Sequence, residues 1–351
     1  MNKFPRTIFA FLFSLALMAQ EAPKEEKKLN LSVGGRFYMD GAVYFKDETP
    51  LSNGVGMSDL RIGLKAKYGK WDGKIDVGFA NSKVSMKDVF AQYNFAGNSY
   101  MRAGHYAEPF GIDYMESSSN IKFITAGATT QAFAPGRKLG VEYIGWTKNL
   151  WFAGGVFSDK DINNSTKGND GYAFTGRMVF NPLQDPGKIL HIGAAGSYRR
   201  ADANGFDADG EDNPRNINYA SNAETYIEST KFISATIDDA KNQVKYALEL
   251  IGGIGPVNFQ GEFFQSFVNR ENDLKRYDAK GAYGQIGVLA LGGDYTYSAA
   301  WARTASPKAG ALEFVVRYNW TDLNNDKSAI YGGKMNDISV AANYYLNKYI
   351  V

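Results

Sequence analysis

The residues able to do chemistry in this chain are charged and evenly spaced along it. There are two histidines, His105 and His191, and no cysteine. Neither histidine has a flanking signature that would pair it with a nucleophile, and no metal-ligand spacing, P-loop or dinucleotide fingerprint is present. His105 shares the register of Met101 and Ala103, so it is expected to be an outward or interfacial side chain and not a base. The acidic run 202–212 (DANGFDADGED) suggests Ca²⁺, but it lacks the spaced ligands and terminal glutamate of an EF-hand loop, and its composition reads as a solvated loop. What remains is a ladder. From Asp59 to Tyr68, Asp59, Arg61, Lys65 and Lys67 alternate with Leu60, Ile62, Leu64, Ala66 and Tyr68. Charges repeated at period two line one face of a strand, and neighbouring strands turn such rows into rings, which is the chemistry of an ion path. No enzyme, cofactor or metal is expected.

The elements that must hold these charges are β-strands. The same alternation recurs at 310–321 and 337–346, and in weaker form in about a dozen further segments between 31 and 291. Many are near the roughly 9–11 residues that a tilted strand needs to cross a bilayer. Short turns such as Gly69-Lys70, Lys148-Asn149, Gly252-Gly253 and Gly292-Gly293 alternate with long polar stretches at 159–170, 200–221 and 270–280. A soluble sandwich would bury its apolar face. Here the apolar sets carry Trp71, Tyr143, Trp146, Trp151, Phe152, Trp320, Tyr344 and Tyr349 near strand ends, as interfacial girdles do. The expected fold class is therefore all-β, an antiparallel transmembrane β-barrel of about 16 strands over residues 31–351. The barrel must close, because lipid offers strand edges no hydrogen-bond partners.

The N-terminus fits export to an outer membrane. Lys3 and Arg6 precede the apolar run 8–18, which is too short to span a bilayer, and Ala19 ends a signal peptide over 1–19. A charged, flexible lead over 20–30 follows. The full chain has 39 basic residues; less these two they number 37, against 37 acidic ones. A neutral mature chain excludes nucleic acid as a partner on charge grounds. Outer-membrane lipid and small anions or polar solutes are the partners expected.

In the polar register the lumen candidates are Arg36, Arg61, Lys65, Lys67, Arg102, Lys138 and Arg317, with Lys74, Arg177, Arg199 and Lys245. Asp40, Asp59, Asp72, Asp76, Asp88, Glu142, Glu249, Glu262 and Glu313 oppose them. Arg61, Lys65, Lys67 and Arg102 form the best basic cluster, and near-balance elsewhere points to a mild anion preference. For any single residue the plainer reading is a salt bridge that stiffens the wall. The segment 107–134 is long for an inert loop. It is read as an inward constriction, with Glu108, Asp113, Glu116 and Lys122 at an eyelet and Phe110, Ile112, Ile121, Phe123 and Ile124 packed on the wall. The function expected is passive diffusion of small hydrophilic solutes and ions. The alternative is a structural or adhesive barrel whose lumen is plugged by its own loops.

The segment 102–112 (RAGHYAEPFGI) resembles the phosphate-selective porin O and P family of Gram-negative outer membranes, in which a strand reading R-x-G-x-x-x-x-P-F enters a long inward loop. The stretches 133–141 (FAPGRKLGV) and 310–318 (GALEFVVRY), with Gly34-Gly35-Arg36 and Asp40, fit the same family in order and spacing. The resemblance implies a 16-stranded homotrimeric barrel with a constricting third loop that conducts small anions. Two features depart from it. The family's early run of arginines is here Ser58-Asp59-Leu60-Arg61, which weakens the expectation of phosphate selectivity. The chain also stops at 348–351 (KYIV), where the family continues into a closing strand with an aromatic end, so the expectation is either a fragment without its last one or two strands or a barrel that closes in another way.

Overall fold

The structure is a computed structural model that describes residues 28–45, 48–80, 83–116, 120–163 and 168–351. The segment read as a signal peptide and most of the one read as a charged lead lie outside the described residues. Alternating segments become strands because period two is the only spacing that puts every apolar side chain on one face of an extended chain. The wall strands are β1 (Asn30–Ala42), β2 (Gly54–Tyr68), β3 (Trp71–Gly78), β4 (Ser85–Asn94), β5 (Ser99–Ala107), β6 (Arg137–Trp146), β7 (Leu150–Ser158), β8 (Tyr172–Asp185) and β9 (Lys188–Arg200). They continue as β12 (Ala240–Ile254), β13 (Val257–Arg270), β14 (Tyr277–Leu291), β17 (Ala311–Asn325) and β18 (Ile330–Tyr345). These fourteen form one antiparallel sheet in chain order, from β1 to β18. About 16 strands were expected. The segment read as a strand at 222–236 is instead part of a separate hairpin, β10 (Ile217–Asn222) with β11 (Lys231–Ile237).

Exposure along the wall is inverted relative to a soluble protein. On β12, Val244, Tyr246, Leu248 and Leu250 are exposed while Gln243, Lys245 and Glu249 are buried. On β17, Phe314, Val316 and Tyr318 are exposed while Glu313, Arg317, Asn319 and Thr321 are buried. On β18, Ile338 and Val340 are more than 70% exposed. A sheet with apolar residues outside and charges inside is stable only where lipid covers the outside. No helix among the described residues is long and apolar enough to cross a membrane; strands do the crossing.

Three segments leave the sheet and pack back on the wall. The first comprises the described residues 108–116 and 120–136, which carry α1 (Ile112–Met115) and α2 (Ala128–Phe133). The second is the β10–β11 hairpin, packed on α2 and β18. Together they form an apolar core with the wall, in which Phe133 stacks on Phe264 with ring centroids 5.7 Å apart and Tyr219 lies at 5.8 Å. The third segment, 292–310, begins at Gly292-Gly293, which was expected to be a short turn. It lies at the same end as the tight turns after β2, β4, β6, β8 and β12, carries the short pair β15 (Tyr297–Ser298) and β16 (Arg303–Thr304), and folds back onto the wall. Gly187 makes this docking possible. Its amide donates to the Tyr295 carbonyl at 2.8 Å, its φ is +67°, and a Cβ there would meet Gly255 Cα and the Asp294 carboxylate at 2.9 Å.

Trp151, read as part of a girdle, is instead buried. Its indole Nε1 donates to the Ala300 carbonyl of this folded-back segment at 3.1 Å. Trp71, Tyr143 and Phe152 remain exposed on the outer face, with Trp71 edge-on to Tyr93 at 4.9 Å. His105 is also buried, not outward. Gly104 at φ +142° lies so close to β4 that a Cβ would meet the Val89 carbonyl at 2.2 Å, and the His105 Nδ1 sits 2.6 Å from the Lys87 carbonyl oxygen.

Candidate functional site

The first strands place basic side chains side by side. Arg36 and Arg61 are register partners on β1 and β2, and Lys65 and Lys74 are partners on β2 and β3. At about 3.4 Å per residue the two rungs are roughly 14 Å apart along the wall. Arg36 and Arg61 share one carboxylate, Asp59, at 2.5 and 2.7 Å, so this rung keeps a surplus positive charge. Lys74 is held by Asp76 at 2.6 Å and Asp88 at 2.8 Å. Lys65 is exposed to the same space.

That space is a cavity of about 1410 Å³. It is bounded by β1 from Ser32 to Tyr38, by β18 from Ser339 to Asn343, and by Ile121–Ile124 of the segment before α2. At one end it reaches Tyr44 and Thr225 beside the long loops, and at the other Lys348 to Val351 beyond β18. It therefore extends along the height of the wall. Six lining residues are cationic (Arg36, Arg61, Lys65, Lys74, Lys122 and Lys348) and two are carboxylates, Asp76 and Glu224.

The other predicted residues lie elsewhere. Lys67 lies outside the cavity lining, opposite Asp72 in register. Arg102 donates from Nε to Glu142 at 2.7 Å and lies over the Tyr106 ring at 4.0 Å. Lys138 pairs with Asp159 at 3.2 Å, and Arg199 binds both Asp159 and Glu108. Burial works to raise the Asp159 carboxyl, but the Arg199 and Lys138 charges more than reverse this and hold it below the usual carboxylate range. Arg317 is almost fully buried. It donates to Glu224 at 2.6 Å and lies 4.0 Å over the Phe123 ring.

The four residues read as an eyelet divide. Glu108 is fully buried and accepts from Thr175 at 2.7 Å. Asp113 accepts from the Gly127 amide at 2.9 Å, and Glu116 pairs with Arg303 at 3.2 Å. Lys122 lines the cavity and pairs with Glu313 at 2.9 Å. The segment is seated through Glu262, which accepts from the amides of Ile112 and Asp113 at 2.7 and 3.0 Å and from the Tyr283 hydroxyl at 2.7 Å.

Two features escaped the sequence reading. One is the folded-back 292–310 segment, which Arg177 holds by donating to the Ala302 carbonyl at 3.2 Å while pairing with Glu249 at 2.7 and 2.8 Å. The other is Glu224, which fell inside the segment read as a wall strand at 222–236 and lies instead in the loop between β10 and β11. Among the described residues no cluster of His, Cys, Asp or Glu could hold a metal ion.

The model of the phosphate-selective porin O and P family matches residues 32–350. The chain belongs to this family, whose members are channel proteins. Porin O of Pseudomonas aeruginosa is 22% identical across 87% of this chain and 76% of its own length. An uncharacterised protein of Caulobacter vibrioides is 26% identical across 81% of this chain, which spans 58% of that relative. Among solved structures, the trimer form of OmpT, an outer membrane protein of Vibrio cholerae, superposes with a TM-score of 0.52 at 14% identity, covering 91% of this chain and 99% of that one. A loop-deletion variant of OmpT gives 0.54 at 12% identity, covering 89% and 86%. At such identities the structural likeness supports the porin barrel and nothing finer.

Proposed function

We propose that this porin sits in a bacterial outer membrane as a homotrimer and passes small hydrophilic solutes and ions by passive diffusion, with a mild preference for anions. The observation that carries this reading is the cavity along β1–β3 and β18, in which six cations face two carboxylates from one end of the wall to the other. Surplus fixed charge in a narrow aqueous path raises the local concentration of counter-ions. The shared Asp59 keeps the preference mild, because it cancels one of the two guanidinium charges beside it. Inorganic phosphate is one anion such a path admits. The single arginine at 61, where the family has a run, argues against strong selection for it.

Planar-bilayer recording of the refolded protein under a KCl gradient tests the proposal. Discrete conductance steps with an anion-signed reversal potential are expected, along with a small reduction of chloride current by added phosphate. A cation-signed reversal potential would refute the anion path. A second reading is a plugged structural barrel, favoured by the three segments packed on the inner wall. A folded, inserted protein that never conducts would establish it.

A further inference from the structure

We propose that Glu224 sets the ion preference of the pore by masking Arg317. This rests on the porin reading and concerns the same cavity. Glu224 lies between β10 and β11, outside the wall, and its carboxylate is saturated by four donors from three elements. Oε2 accepts from Arg317 Nη2 at 2.6 Å on β17 and from Ser339 Oγ at 2.5 Å on β18. Oε1 accepts from Asn319 Nδ2 at 2.9 Å on β17 and from the Ala128 amide at 2.7 Å on α2. A carboxylate has about four acceptor positions, so all of them are used and its orientation is fixed.

The placement matters because Glu224 lines the cavity and Arg317 does not. Arg317 is 1% exposed, and the next carboxylate, Asp113, is 4.0 Å away and already accepts from Gly127. The acid therefore stands between a buried guanidinium and the ion path, and its charge cancels Arg317 as seen from the cavity. The pore shows passing ions the basic rungs of β1–β3 but not the cation on β17. Neutralising Glu224 adds one unit of positive charge at the cavity wall, which changes the preference without widening the path.

The test is the reversal potential of E224Q under the same KCl gradient. Gln keeps the size and an acceptor oxygen but loses the charge. The chloride-to-potassium permeability ratio is expected to rise about fivefold, the effect of a unit charge about 4 Å from an ion in water. Because the chain has no cysteine, E224C offers a single thiol. E224C is expected to match E224Q, to return toward wild type after reaction with a sulfonate-bearing thiol reagent, and to move further toward anions with a trimethylammonium one. If E224Q loses the folded form, E224C carries the same test. A rise in conductance to both ions with an unchanged reversal potential would make Glu224 a mechanical tether and overturn the proposal. So would indifference of E224C to the sign of the reagent. Absence of conductance in the wild type would overturn the porin reading itself, whereas unchanged selectivity in a conducting variant overturns this inference alone.

Discussion

At the scale of single residues, what matters is whether a charge faces the cavity or another charge. Arg36, Asp59 and Arg61 form a rung with one surplus positive charge. R61Q is expected to lower the anion preference and D59N to raise it, both read from reversal potentials and both shrinking at high salt as screening shortens. Buried pairs answer to stability instead. Glu108 is fully buried against Arg199, which is 5% exposed. E108A leaves that guanidinium with Asp159 alone and is expected to cost about 3 kcal/mol, the usual order for breaking a buried pair, measured by urea unfolding in detergent. Sequence alternation placed Arg36, Asp59, Arg61, Arg102 and Glu142 on the same polar register. It gave no means of telling Arg61, which faces the cavity, from Arg102, which faces Glu142, because partner choice depends on strands far apart in the chain.

At the scale of elements, three segments leave the wall and pack back on it. The 292–310 segment is held by backbone carbonyls, with Trp151 reaching Ala300 and Arg177 reaching Ala302. W151F removes one buried donor-to-carbonyl bond and is expected to loosen the segment by about 1 kcal/mol. Faster hydrogen exchange confined to residues 295–304, with the wall unchanged, would register it. The loop between β1 and β2 is tied to the hairpin loop at Glu228, which accepts from the Ser52 amide at 2.8 Å. That bond first, and then those from Thr230 and Ser229, lower the Glu228 carboxyl to about 2. A lowered folded value means the contact is fully present above the unfolded value near 4.3 and is lost as pH falls towards 2. Protease nicking within 48–53 is therefore expected to rise between pH 4 and pH 2, and E228Q is expected to be nicked at a rate independent of pH over that range. These elements were illegible as strings. The 292–310 stretch begins Gly-Gly like an ordinary turn, and Trp151 alternates like its exposed neighbours, so its inward place appears only once a distant carbonyl is set beside it.

At the scale of the whole molecule, the barrel is an even-stranded antiparallel wall. With fourteen strands in sequence, β1 and β18 run in opposite directions and bound one cavity. Antiparallel edges are the geometry that closes a barrel without a crossover. In the cysteine-free background, paired cysteines at Gly35 with Ala341 or Ala342 are expected to be joined by a short bifunctional thiol reagent in the inserted protein. Capture of a second chain in place of this internal link would show that the two edges are closed between protomers.

The sequence by itself determined the strand alternation, the inward charges and outward aliphatics, and the unusual length of the segment after β5. These depend only on a two-residue period and local turn chemistry. Sequence also marked the family, through motifs that keep their order along the chain. Tertiary structure decided which charges pair, which segments return to the wall, and that Glu224 rather than a wall residue pairs with Arg317. Ion pairs and seated loops join residues on the order of 100 positions apart, and no short-range pattern encodes which distant partner a buried charge will find.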